Sequence, residues 1–328
     1  MPSRVRPLQA RSRHNRTRTL PVRARRTTRS SLPARPGVEA LPMNETVRLK
    51  LVLAYQGTDF SGWQLQPEGF GRSVQGCVEE ALARLAGTFV RLQGASRTDA
   101  GVHALAQTAH VDVPADRVHL PWRRALNAIL PPDVTVISVD LAAPRFHARA
   151  CPAIKTYTYT FWHENGFLLP QRRAFVWPVG PLDFAAMEHA ALEFVGTHDF
   201  AAFQNAGTPV VSTERTVDAI VRRETCHPHE SVWAVTGGGF LKQMVRNIMG
   251  CLVEVGRGKA NAQTVRSLLA TKDRTLAPQT APARGLCLER MEFCDSERQP
   301  GETGPERDRT HNLPGEEELG GAGGLVPY

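Results

Sequence analysis

Hydrophobic side chains between residues 43 and 150 recur first with the period of a strand and then with that of a helix. Alternate positions from Val47 to Tyr55 are apolar, which predicts a strand with one buried face. Apolar residues three or four apart then predict a helix that Ser73 caps and Gly87 ends. The remaining predicted elements are strands near 88–95, 105–113 and 134–140, and a short helix from Pro121 to Leu130.

The same order of elements returns between residues 151 and 296. Aromatic residues alternate with threonines from Thr156 to His163, which predicts a strand with an aromatic face. A helix is predicted over about Asp183–Val195, and Gly196 ends it. The remaining predicted elements are strands near 217–224, 231–236 and 286–293, a long helix from Phe240 to Val255, and a shorter helix near 262–270.

Both halves therefore read strand, helix, strand, strand, helix, strand, which is the split order of ferredoxin-like domains. The sequence predicts an α+β fold in which two ferredoxin-like subdomains, residues 43–150 and 151–296, lie side by side. The shared order of elements is not accompanied by a sequence repeat. Two such units leave a central cleft between them, and clefts of this kind are common positions for active sites.

Most of the net charge of +8 comes from two terminal segments without a hydrophobic period. Residues 1–42 contain eleven arginines and one acidic residue, which predicts a disordered basic tail. An RNA-binding arm, a transit peptide and a mis-called start are the alternatives for this tail. We favour a true start at Met43, because the first strand begins four residues later. Residues 297–328 are predicted to form a disordered acidic tail.

Residues 43–294 carry 26 basic and 23 acidic residues, so a nucleic-acid surface there requires local clustering of charge. The six cysteines are scattered without a C-x-x-C pair, which is typical of reduced thiols in a cytoplasmic protein. No run of 18 uncharged apolar residues is present, so no membrane span is predicted. His103, His110 and His119 lack the spacing of metal ligands. The run Cys226-His227-Pro228-His229 offers possible ligands, but its proline and turn context favour a loop, so no metal site is predicted.

The run Arg97-Thr98-Asp99-Ala100-Gly101 places a carboxylate between a guanidinium and a glycine, with strand-like stretches on both sides. A carboxylate on a tight loop beside an arginine stays ionised and oriented, as a nucleophile or a general base requires. Asp and Gly are also ordinary turn residues. Local chemistry alone therefore leaves a surface turn as the alternative.

Trp63 lies in a glycine-rich stretch with Gln64 and Gln66, where it is suited to stack on nucleotides or to be half-buried in a turn. Arg246 lies on an otherwise apolar helix, where an unpaired arginine is costly. The motifs around these and other polar residues are Tyr55–Gln66, Arg97–Ala104, Arg123–Asp133, Phe146–Arg149, Lys155–Tyr159, Phe240–Gly250 and Thr280–Leu288.

In order and spacing these motifs resemble those of the tRNA pseudouridine synthase A family over residues 47–294. The resemblance implies an isomerase without a cofactor that converts uridine to pseudouridine at positions 38 to 40 in the anticodon arm of tRNA. The family usually works as a homodimer. The matching aspartate, Asp99, is implied as the catalytic residue, which attacks or deprotonates the substrate. The chemical route, through a sugar adduct, attack on the base or a glycal, stays open.

The resemblance also assigns roles to residues that contact the substrate. Tyr157 is implied to stack on the target base, and Arg246 to form an ion pair with Asp99. An apolar residue of the closing strand is implied to line the base pocket. The further implied substrate-binding residues are Arg97, Gln64, His103 and Arg149. Small departures from the family pattern are Ser96 and Ala106 in place of glycine, and Lys155 where arginine is common.

Two functions of other classes are alternatives. A non-catalytic RNA-binding or RNA-folding protein retains the basic and aromatic residues but does not need Asp99. A metal-dependent RNA hydrolase needs clustered carboxylates or histidines, which this sequence does not show. Catalysis by Asp99 separates the first alternative from a synthase, and sensitivity to a chelator separates the second.

Overall fold

The computed structural model describes residues 45–67, 69–151, 153–205 and 210–293, and both predicted tails, 1–42 and 297–328, lie outside them. The described chain is a mixed α+β structure whose sheet is mostly antiparallel. Its strands are β1 (Thr46–Tyr55), β2 (Gln93–Gly94), β3 (His103–Pro114), β4 (Val134–Leu141), β5 (Ala153–Trp162), β6 (Trp177–Pro178), β7 (Gly196–Asp199), β8 (Glu214–Arg223), β9 (Glu230–Gly237) and β10 (Leu286–Phe293). Its helices are α1 (Val74–Ala86), α2 (Trp122–Ile129), α3 (Phe184–Ala191), α4 (Met244–Gly256) and α5 (Ala262–Thr271).

The strands form one continuous sheet in the order β4-β1-β3-β10-β5-β9-β8-β7, with β2 paired to β3 and β6 paired to β5. The last strand, β10, lies between the two halves of the chain. It runs parallel to β3, where Cys287 pairs with His103, and antiparallel to β5, where Leu288 pairs with Tyr157. One cluster of buried apolar side chains extends through both halves. The halves are therefore joined by a shared sheet and a shared core.

Helix α1 begins and ends where the local sequence predicts. The Ser73 hydroxyl accepts a hydrogen bond from the amide of Gly76, and Gly87 adopts the left-handed conformation, with φ of 75°. A glycine favours that conformation because it has no Cβ to clash with the backbone. Val78 and Leu82 are fully buried, so the predicted apolar face of α1 packs on the sheet core.

The strand predicted near 88–95 is reduced to the two residues of β2. The Leu92 amide donates to the Glu79 carboxylate at 2.9 Å, and the Leu92 carbonyl accepts from the Gln75 side chain at 3.0 Å. Side chains of α1 thus occupy the backbone groups that a neighbouring strand would bind. The apolar side chains of this segment are buried as expected. Its backbone at Leu92, however, bonds side chains of α1 instead of a neighbouring strand.

Helix α4 starts later than the predicted Phe240, because Gln243 has φ of 61° and interrupts the helical backbone before Met244. The helix is almost entirely buried and lies very close to the segment before β10. A Cβ on Gly250 would lie 2.1 Å from the carbonyl oxygen of Gln279. Only glycine permits this approach.

Two further differences concern short elements. The helix predicted to reach Val195 ends at Ala191 and continues as one 3-10 turn, Leu192–Phe194. Gly196 then opens β7, a short edge strand that the sequence pattern does not reveal. No helix within the described ranges is long and apolar enough to cross a membrane.

We expect Gly250→Ala to lower the melting temperature by about 5 °C, because overpacking a buried backbone contact costs about 1–3 kcal/mol. Helix propensity alone favours alanine by about 1 kcal/mol, so the sign of the shift shows which effect dominates. Differential scanning calorimetry of the two proteins measures it. Gly238→Ala is the control, since a Cβ at Gly238 meets nothing within 4 Å. An unchanged or higher melting temperature for Gly250→Ala would contradict the close approach.

Candidate active site

Asp99 lies on the loop between β2 and β3. Gly101 has φ of 80°, and the Val102 amide donates to the Asp99 carbonyl at 3.2 Å, so the backbone turns sharply after the carboxylate. The Asp99 side chain is 27% exposed, which leaves it open to a ligand. The predicted tight loop is therefore present, and it presents the carboxylate rather than burying it.

The glycine-rich stretch after β1 supports this loop from behind. A Cβ on Gly57 would lie 2.0 Å from the Val102 carbonyl oxygen, so the two backbones are in contact. The Trp63 amide donates to the Thr98 carbonyl at 3.1 Å, and the Thr98 hydroxyl bonds the Tyr55 hydroxyl at 2.9 Å. The motif that precedes α1 thus fixes the conformation of residues 98–102.

The indole of Trp63 does not face the solvent, contrary to the stacking role considered from the sequence. Trp63 is 3% exposed and packs in the core against Gly94, where a Cβ would lie 2.4 Å from the indole. The absence of a side chain at Gly94 provides the space for the ring. Gln64 and Gln66, by contrast, are exposed beside Asp99.

Arg246 reaches Asp99 from α4, as the resemblance implied. Its Nη1 donates to Asp99 Oδ2 at 3.0 Å, and its Nε donates to the Ala281 carbonyl at 2.8 Å. The Arg246 side chain is only 13% exposed. An ion pair between two such shielded groups is screened less by solvent than a surface pair. The pair therefore holds one carboxylate oxygen in a defined direction.

Tyr157, on β5, stands beside Asp99 with its ring edge-on to Phe240, at 5.4 Å between the ring centres. Its hydroxyl shares a hydrogen bond of 2.8 Å with the hydroxyl of Ser96. Burial, and to a lesser extent the charge of Asp99, raises the pKa of Tyr157 to about 12. The phenol is therefore neutral at physiological pH and offers a polar tip beside the carboxylate.

These groups open into a cavity of about 600 Å³. Its apolar wall comes from the turn before α4 and the start of that helix, where Leu241, Met244 and Val245 are buried. A volume of this size admits a nucleoside with an adjoining phosphate. Of the predicted site residues, five line this cavity: Gln64, Arg97, Asp99, Arg149 and Tyr157.

One side of the cavity is strongly basic. Burial and, to a smaller extent, the neighbouring charge of Arg149 lower the pKa of both Arg97 and Lys155. Arg215 lines the same cavity. Cations that disfavour one another's charge gain most when an anion binds between them. We call Arg97, Arg149 and Lys155 the basic wall.

His103 does not lie in this cavity. Its Nδ1 accepts from the Gly57 amide at 3.0 Å, and its Nε2 bonds the Ala174 carbonyl at 2.9 Å. Burial lowers the pKa of His103, which favours the neutral ring that these two bonds require. Both ring nitrogens are therefore occupied by backbone groups, in a position that supports Gly57 rather than a substrate.

The apolar wall also differs from the expected one. Leu286 and Leu288 of β10 are buried in the core and do not line the cavity, whereas Leu241 and Val245 do. Sequence reasoning did not single out Leu241 as a site residue. Phe240 and Gln243 were missed in the same way, because only the left-handed turn at Gln243 brings this segment to the cavity.

The chain is similar in sequence to proteins of one known family. The family model described as tRNA pseudouridine synthase matches residues 51–149 and 190–294. The chain belongs to the tRNA pseudouridine synthase family. No group of three or more His, Cys, Asp or Glu able to hold a metal ion occurs among the residues that the structure covers.

Curated relatives carry the name tRNA pseudouridine synthase A. The protein from Solidesulfovibrio magneticus is 59% identical over 249 residues, covering 75% of this chain and 91% of its own. That from Maridesulfovibrio salexigens is 54% identical over 74% of this chain and 88% of its own. That from Geobacter sulfurreducens is 43% identical over 75% of this chain and 99% of its own.

A solved structure, a Cbf5-Nop10-Gar1 complex, matches with a TM-score of 0.25 at 12% identity, covering 62% of this chain and 54% of that chain. A similarity this low does not bear on the fold.

We expect Ser96→Ala to release the Tyr157 hydroxyl and to lower kcat/KM on tRNA by about 3- to 10-fold, the value of one neutral hydrogen bond. Tyr157→Phe removes the same bond from the other side, so the double variant should be less impaired than the product of the single effects. Kinetics of the three variants measure this coupling. Multiplicative effects would show that the hydrogen bond does not link the two residues in function.

Proposed function

We propose that this protein isomerises uridine to pseudouridine in the anticodon arm of tRNA, at positions 38 to 40, with Asp99 as the catalytic residue and without a cofactor. As a member of its family the chain is an isomerase that acts on tRNA. The observation that carries the proposal is the Asp99–Arg246 ion pair at the cavity, with Tyr157 beside it. The finer substrate position rests on the family resemblance.

The reaction exchanges one bond for another within the same nucleotide. The bond from uracil N1 to the ribose C1′ breaks, the uracil turns, and a bond from C5 to C1′ forms. The hydrogen on C5 leaves as a proton, and N1 gains one, so nothing is added or lost overall. Attack on the sugar, attack on the base and deprotonation of the sugar all start from an ionised carboxylate.

The ion pair suits Asp99 to this role. Arg246 bonds Oδ2, and no hydrogen bond to Asp99 Oδ1 occurs within the part of the chain that the structure describes. The lone pairs of Oδ1 are therefore available to a ligand in the cavity that Asp99 lines. Because the Arg246 guanidinium bonds the other oxygen, the carboxylate is oriented before the substrate arrives.

The target uridine must leave its stack to reach a carboxylate inside a cavity, at a cost of a few kcal/mol. The ring of Tyr157 and the apolar side chains of Leu241 and Val245 supply contacts that offset this cost. The basic wall supplies cations for the phosphates on either side of the flipped nucleotide. Gln64 lies where its amide can hydrogen-bond a base or ribose.

We further propose that residues 43–150 and 151–296 are two ferredoxin-like subdomains. Strand orders β4-β1-β3-β2 and β10-β5-β9-β8 support this, since each half places its first strand between its third and fourth. We also propose a homodimer, which rests on the family resemblance. The five described cysteines are free thiols, which supports the cytoplasm.

We expect wild-type protein to release tritium from tRNA that carries 5-tritiated uridine, and Asp99→Asn to release none above background. Joining the base through C5 expels that hydrogen, whereas binding alone does not. Asp218→Asn is the matched control, because Asp218 is exposed on β8 and does not line the cavity. Retained turnover in Asp99→Asn would refute the catalytic role. Binding of tRNA without release by any variant would indicate an RNA-binding protein.

We expect Arg149→Gln to weaken tRNA binding while leaving the single-turnover rate at saturating enzyme within about 3-fold of wild type. Loss of one phosphate contact should reduce the slope of log affinity against log salt by about 0.7 to 0.9. Filter binding across a salt series measures this slope. Arg266→Gln, on the exposed face of α5, is the control. An unchanged slope for Arg149→Gln would show that the basic wall does not contact phosphates.

A further inference from the structure

Arg274 lies behind the ion pair, in the loop after α5, and uses all five of its N–H donors. Its Nε donates to Asn205 Oδ1 at 3.2 Å, and its Nη1 donates to the carbonyls of Ala277 and Pro278 at 3.2 and 3.1 Å. Its Nη2 donates to Asn247 Oδ1 at 3.1 Å and to Thr280 Oγ1 at 3.0 Å. A guanidinium has five donors in a rigid fork, so this one is saturated.

Every one of these acceptors is uncharged. Within the described residues Arg274 has no carboxylate partner, and burial lowers the pKa of its guanidinium. The adjacent Asp273 does not pair with it but accepts from the Thr275 amide at 2.8 Å. A shielded cation without an acid is a costly way to stabilise a loop. The position of Arg274 is better explained by the way it fixes the residues around it.

That geometry concerns the two neighbours of the active-site contact. Asn247 and Thr280, which share Arg274 Nη2, directly follow Arg246 and directly precede Ala281 in the sequence. Arg246 and Ala281 are in turn joined twice: Arg246 Nε donates to the Ala281 carbonyl, and the Ala281 amide donates to the Arg246 carbonyl at 3.1 Å. Arg274 thus holds α4 and the segment before β10 at the point where Arg246 is anchored.

Further hydrogen bonds and close contacts hold the residues around Arg246 and Ala281. Thr280 Oγ1 also donates to Asn247 Oδ1 at 2.7 Å, and Asn247, 1% exposed, donates to the Phe203 carbonyl at 2.7 Å. A Cβ on Gly250 would clash with Gln279, so the helix and the segment are already in contact. A planar, fully bonded guanidinium in this position fixes their register.

We propose that Arg274 is a positioning residue of the active site, which fixes the guanidinium of Arg246 against Asp99 through Asn247 and Thr280. The inference rests on the proposed function, since it takes Asp99 to be the catalytic carboxylate. Arg274 itself does not line the cavity that receives the substrate. It acts by holding the backbone from which Arg246 extends.

The test is steady-state kinetics of tritium release by Arg274→Met, Arg274→Lys, Arg246→Gln and the double variant Arg274→Met with Arg246→Gln. Arg274→Met should lower kcat by about 10- to 100-fold, the effect of a misplacement near 1 Å, while KM changes by less than about 3-fold. Arg274→Lys should recover part of kcat. The double variant should be no slower than Arg246→Gln alone, because both changes disable the same group.

A purely structural Arg274 would give another pattern. Wild-type kcat for Arg274→Met, with only a lower melting temperature, would overturn the inference, as would multiplicative effects in the double variant. Arg266→Met is the control for removal of an arginine near α5. If Arg274→Met does not fold at the assay temperature, Thr280→Val removes one acceptor and one donor of the network. It should lower kcat by about 10-fold, and wild-type kcat there would equally overturn the inference.

Failure of the inference is distinguishable from failure of the proposed function. Binding of tRNA without tritium release by the wild-type protein refutes the function itself, and full turnover by Asp99→Asn refutes the catalytic role of Asp99. Loss of turnover in Asp99→Asn together with wild-type kcat in the Arg274 variants refutes only the positioning role.

Discussion

The ion pair between Asp99 and Arg246 joins residues 147 positions apart in the sequence, and the rest of the site is built around it. Each partner is held from its own side. The loop of Asp99 is supported by the glycine-rich stretch after β1. Arg246 is held by its two hydrogen bonds with Ala281 and by the network behind them. Because β3 and β10 are parallel neighbours, the loop before β3 and the segment before β10 lead into adjacent strands of one sheet.

Charge is arranged around this pair in two zones. In one zone Arg246 pairs with Asp99, and the apolar groups of Leu241 and Val245 line the same cavity. In the other zone the basic wall carries positive charge, and no carboxylate among the described residues forms an ion pair with it. A nucleic acid that places one base in the cavity would contact both zones, with its phosphates on the basic wall. A partly shielded ion pair adds little to stability, which agrees with the proposed role of this pair in orienting the carboxylate.

The sequence predicted what local chemistry determines and failed where distant segments meet. The caps of α1 at Ser73 and Gly87, and the tight loop at Asp99, depend on neighbouring residues and were found at their predicted positions. The insertion of β10 between the halves depends on pairing across the chain, which periodicity cannot reveal. The full burial of Trp63 was not predicted, because the space for its ring comes from Gly94, a residue 31 positions away.

The same limit applies to the residues behind the site. Arg274 lies in a polar stretch and is indistinguishable in sequence from a solvated loop arginine. Only the fold shows that its five donors meet three segments. Arg246 was found because an arginine on an apolar helix is unusual and because the resemblance named its partner. Sequence reasoning therefore did not find the residues that support the site from outside the cavity.

The most direct test of this account is the single-turnover rate of pseudouridine formation by Arg246→Gln and Arg246→Lys at saturating enzyme, which removes differences in tRNA binding. The account predicts a rate at least about 100-fold below wild type for the glutamine variant, with a higher rate for lysine, since only lysine retains the charge that faces Asp99. A folded glutamine variant that reacts at the wild-type rate would contradict the claim that this ion pair prepares the carboxylate for catalysis.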